Sequence, residues 1–112
     1  ETDDFAAGFL NWYEPNDFTY NVAVAGQSDG FTSFCQDATS YEIGTFDHNT
    51  AKSNFGNGFQ FSNYLLDKEL VLSNVKAIKN RLVGFFTHSS YKVGLGNCIF
   101  AENTYFGIDV RF

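Results

Sequence analysis

The sequence has no methionine, a single proline, two cysteines and no dense basic cluster. Each scarcity excludes something. No apolar run approaches the ~20 residues of a spanning helix, so no membrane span is expected. A chain that opens on Glu1 without methionine reads as a processed product that has lost a leader. Charged residues make up only 18%, the net charge is −6, and the closest basic grouping is Lys76, Lys79 and Arg81, so the surface repels nucleic acid at long range. Walker loops, dinucleotide fingerprints, HExxH pairs and EF-hand loops are all missing, and two distant histidines leave little to hold zinc, so no cofactor and no metal are expected.

What is present is aromatic. Fourteen Phe, six Tyr and one Trp in 112 residues provide for one core in one domain, 1–112. Ten glycines with many Asn, Ser and Thr suit short strands joined by tight turns. The fold expected is a β-rich α+β domain, an antiparallel sheet with one short N-terminal helix and one disulfide. Thr2 caps the helix, and Phe5, Phe9, Trp12 and Tyr13 recur at helical spacing before Pro15. Phe18 to Ala25 alternates as a strand with Tyr20, Val22 and Val24 on one face, and the short links that follow read as hairpins. A last strand sets Ile108, Val110 and Phe112 inward and Asp109 and Arg111 outward. No internal repeat divides the chain. Cys35 and Cys98, apolar in setting, pair in a disulfide that closes a long loop and contributes about 4 kcal/mol, which favours secretion.

The polar, turn-rich stretch 47–58 is the expected functional loop, with His48, Asn49, Asn54 and Asn57 as binding residues and Tyr91 as an aromatic contact. From these residues we expect a secreted binding protein, an effector, toxin or lectin-like module, that acts without catalysis on a host protein or glycan as a monomer or small homo-oligomer.

One segment carries a resemblance. Gly58-Phe59-x-Phe61-Ser62, Glu69, Asn80-x-Leu82-x-Gly84-x-x-Thr87-His88 and Cys98 together resemble the second half of the guanyl-preferring fungal ribonucleases. The resemblance implies an alternative function: metal-independent cleavage of single-stranded RNA through a 2′,3′-cyclic phosphate. Glu69 would be the base, His88 the acid and Arg81 or Lys79 the phosphate ligand. The same region, with Phe86, Tyr91 and Gly94 preceded by Val75 to Lys79, also resembles the aromatic hairpin of βγ-crystallin Greek keys.

Overall fold

A computed structural model describes residues 7–12, 17–34, 46–62, 70–88 and 93–111. Within them every regular element is a strand and every strand pair is parallel. The chain winds as a coil of three strands per turn. The first coil holds β1 (Ala7–Trp12), β2 (Phe18–Thr19) and β3 (Val22–Val24), and the second β4 (Asp29–Phe34), β5 (Phe46–Asp47) and β6 (Thr50–Lys52). The third holds β7 (Phe59–Ser62), β8 (Leu70–Ser73) and β9 (Lys76–Ile78), and the fourth β10 (Val83–His88), β11 (Val93–Gly96) and β12 (Ile99–Ala101), before β13 (Phe106–Arg111) opens a fifth. Equivalent strands stack into three sheets, ordered β1-β4-β7-β10-β13, β11-β8-β5-β2 and β12-β9-β6-β3. This is a parallel β-helix, the solenoid in which each coil contacts only its neighbours.

The antiparallel sheet is therefore corrected, and the reason lies at the corners. A two-residue hairpin of type I′ needs positive φ at both central residues. Here the links between the second and third strands, Tyr20-Asn21, His48-Asn49, Asn74-Val75 and Asn97-Cys98, have positive φ only at the first residue, between 51° and 55°. The chain turns a corner and does not reverse. A second column of corners repeats the device at Ala25, Ser53, Lys79 and Glu102.

The expected helix is also overturned. Ala7–Trp12 is strand β1, paired with β4, while residues 1–6 and 13–16 lie outside the described set. Phe9 does not face a helix groove; it stacks on Phe31 at 4.8 Å and 9°. Phe31 stacks in turn on Phe59 at 4.8 Å, and Phe85 and Ile108 continue the column in register. Phe18, Phe46 and Phe61 pack beside it. Cys98 is a free thiol whose Sγ lies 3.3 Å from the Leu72 carbonyl, so the disulfide expectation fails. Cys35 lies outside the described residues, and the secretion expectation loses the bond it rested on. No helix among the described residues is long and apolar enough to cross a membrane.

A repeat does exist. Phe9, Phe31, Phe59, Phe85 and Ile108 are register equivalents separated by 22, 28, 26 and 23 residues. Two corners of each coil have constant length, and the link after the first strand varies, which breaks any fixed period. Three further columns make the coils fit. Gly8, Gly30, Gly58 and Gly84 sit where a Cβ would lie 2.7–2.8 Å from the carbonyl oxygen of the next glycine up the column. Ala23, Ala51 and Ala77 point inward with their Cβ atoms against Gly8, Gly30 and Gly58, and Phe100 takes the equivalent place beside Gly84. In β3 the alternating faces divide so that Ala23 is buried and Val22 and Val24 are exposed.

The third column is asparagine. Asn54, Asn80 and Asn103 follow Gly26 at the corner before each first strand. Each side-chain oxygen accepts the backbone N–H of the residue below, Gly26, Asn54 and Asn80 in turn. Each Nδ2 donates back to an alanine carbonyl of the coil below, Ala23, Ala51 and Ala77. A buried polar column is tolerated because the amides satisfy both themselves and the corner backbone.

Candidate functional site

The expected binding residues separate into two groups. Asn49 and Asn54 are buried, and their amides serve the framework: Asn49 Oδ1 accepts from Asn21 N and its Nδ2 donates to the Phe18 carbonyl at 2.7 Å. His48 is exposed at a corner. Its ring stacks on Tyr20 at 4.6 Å and 15°, and its Nδ1 lies 2.9 Å from Asp47 Oδ2. Asp47 also accepts from Asn74 Nδ2, and these two neighbours hold its carboxyl below the ordinary value. Tyr91 and Glu69 lie outside the described residues.

Arg81, in the turn two residues before β10, and His88, the last residue of β10, are separated by a strand roughly 16 Å long, so they do not converge on one cleft. Arg81 instead covers the ring of Phe55 at 5.1 Å. Among the described residues no group of three or more His, Cys, Asp or Glu is placed to hold a metal ion.

What does converge lies on the outer face of the five-stranded sheet. Its stacked strands sit ~4.8 Å apart, so outward side chains form rows along the axis of the coil. One row runs through Thr32, Gln60, Phe86 and Asp109, and a neighbouring row through Asp29, Asn57, Val83 and Phe106. At the lower end the groups are polar and tied together. Asp29 accepts from Asn57 N at 2.7 Å and from the Thr32 hydroxyl at 3.0 Å, and Asn57 Nδ2 donates to Gln60 Oε1. Burial pushes the Asp29 carboxyl above its ordinary 3.8, against the pull of those two hydrogen bonds.

At the upper end the face hollows into a pocket of about 360 Å³ lined by Leu82, Phe86, Tyr105, Phe106, Asp109 and Arg111, with Asn57 and Val83 at its lower side. Arg111 donates from Nε and Nη2 to Asp109 Oδ2 at 3.1 and 2.8 Å, and its guanidinium lies 5.3 Å from the centre of the Phe86 ring. An arginine held by a carboxylate and an aromatic face presents its remaining N–H groups in a fixed direction. Sequence reading missed this pocket. Alternation did place Asp109 and Arg111 outward, but Phe86, Leu82, Val83 and Asn57 come from lower coils, 23 or more residues away, and only the parallel register brings them beside that pair.

No known protein family, characterised protein or solved structure matches the chain.

The raised Asp29 carboxyl gives a stability prediction with a definite sign. A group whose pKa is higher folded than unfolded contributes stability that is fully present below the unfolded value and lost as pH rises through the folded one. Relative to Asp29→Asn, the wild type should therefore lose stability as pH rises above about 3.8. Urea midpoints of both proteins from pH 3 to 8 measure this, and a difference that stays constant or shifts in favour of the wild type as pH rises rejects the assignment.

Proposed function

We propose that this protein is a glycan-binding module and that the outer face of the five-stranded sheet is its binding surface. The observation that carries the reading is the pocket of Phe86, Tyr105 and Phe106 beside the fixed Asp109–Arg111 pair. Sugar rings offer apolar C–H faces and a rim of hydroxyls, and they are matched by exposed aromatic rings flanked by oriented donors and acceptors. Tyr105 and Phe106 are both largely exposed, and the volume suits a small ligand better than a protein surface. The Asp29, Asn57 and Gln60 network lengthens the face with further polar groups, as a chain-like ligand requires.

Affinity electrophoresis and calorimetry against a panel of neutral, acidic and amino polysaccharides test it. Tyr105→Ala and Arg111→Ala should each weaken binding roughly tenfold or more, equivalent to about 1.4 kcal/mol. Both side chains are exposed, so the unfolding midpoint should hardly move. Folded protein that binds none of the panel, or variants that bind as well as wild type, would remove the reading.

A further inference from the structure

The upper end of the coil carries three features that make sense only with another layer on top. The first is Gly107. At Gly8, Gly30, Gly58 and Gly84 the missing Cβ makes room for a carbonyl oxygen of the strand above. At Gly107 a Cβ would meet only Phe100, at 3.5 and 3.6 Å, which is ordinary contact. The residue is nonetheless glycine.

The second is Asn103. Every lower residue of its column gives its backbone N–H to the side-chain oxygen above it. Asn103 has no such side chain above it among the described residues. The third is the inward row of β13. Phe85 and Thr87 are each 1% exposed, and their equivalents Ile108 and Val110 are 48% and 47% exposed, both apolar.

We infer that this end face is an interface that receives one further coil of the same repeat, wound on directly from β13 over β11 and β12. The contact is continuous with the coil-to-coil interface already repeated down the structure. Its occupant must supply a carbonyl over Gly107, an amide oxygen over the Asn103 N–H and an apolar side chain over Ile108. A second copy stacked head to tail does not meet these needs. Its β1 could lie on β13, but its β2 and β3 follow one layer later and leave the positions above β11 and β12 empty.

The test compares the 112-residue chain with a version that carries a second copy of residues 89–112 after Phe112, each with and without Gly107→Ala. The extension should raise the thermal midpoint and slow amide exchange along β13. Gly107→Ala should change the original chain little and lower the midpoint of the extended one by about 5 °C or more. Equal cost in both chains would mean that the glycine serves the fifth coil alone. Equal indifference, with β13 amides exchanging as before, would mean that no carbonyl lies over it. A dimer of the original chain in which the substitution is already costly would make a second copy the occupant. Each of these results overturns the inference.

Discussion

Asn80→Ala should destabilise the protein by about 3–5 kcal/mol, a large part of the 5–15 kcal/mol that holds a typical domain folded. The Asn80 amide is fully buried and has four partners. Its Oδ1 accepts from Asn54 N and Asn54 Nδ2 at 3.2 and 3.0 Å, and its Nδ2 donates to the Ala51 carbonyl and Asn103 Oδ1 at 3.1 and 3.0 Å. Alanine strands two donors of Asn54 and a carbonyl in a place where water does not reach, and each unsatisfied group costs about 1–3 kcal/mol. Gln27→Ala, exposed in the turn below, should stay within about 0.5 kcal/mol. Equilibrium urea unfolding of the two variants measures the contrast. Similar midpoints would mean that the asparagine column does not hold the coils together.

The second large effect is steric. In Gly58→Ala the new methyl would lie 2.7 Å from the Gly84 carbonyl oxygen, 2.8 Å from Ala77 Cβ and 2.9 Å from Asn80 Nδ2. None of the three can step aside. One is backbone, one is a methyl attached directly to backbone, and one is fixed in the amide column. Overpacking of this kind usually costs about 1–3 kcal/mol, and three simultaneous contacts place Gly58→Ala at about 3 kcal/mol or more. Gly96→Ala provides the comparison, because nothing lies within 4 Å of its added Cβ and its φ is not positive. That variant should be neutral or stabilised by about 0.4–1 kcal/mol through the lower entropy of its unfolded chain. If both alanine variants unfold at the wild-type midpoint, the close approach of coils at the glycine column is wrong.

The β character of the chain, its aromatic core and the alternation in β13 were legible because they depend on composition and on a period of two. The winding was not legible. Antiparallel and parallel strands share that period, and here the difference rests on the sign of one φ at each corner. The repeat escaped because links of unequal length separate Phe9, Phe31, Phe59 and Phe85, and no constant spacing survives. Asn49 and Asn54 read as loop polar groups because asparagine is common in exposed turns. In a stacked coil the same residue type can face inward, where each amide meets its equivalent one layer away. For the candidate site, alternation placed Asp109 and Arg111 outward but could not show Phe86 or Asn57 beside them.

The unequal link after the first strand of each coil has a genetic consequence. The first strands of the four coils end at equivalent residues, Trp12, Phe34, Ser62 and His88, while the length of chain before the second strand differs, so a DNA insertion or deletion there changes one coil without displacing the glycine, alanine or asparagine columns of the others. The second and third coils repeat the same glycine, alanine and asparagine, Gly30, Ala51 and Asn54 and then Gly58, Ala77 and Asn80, so an in-frame duplication of one of them adds a layer that matches its neighbours. Such a gene can change the length and the decoration of its product separately, through two kinds of mutation that do not interfere with each other.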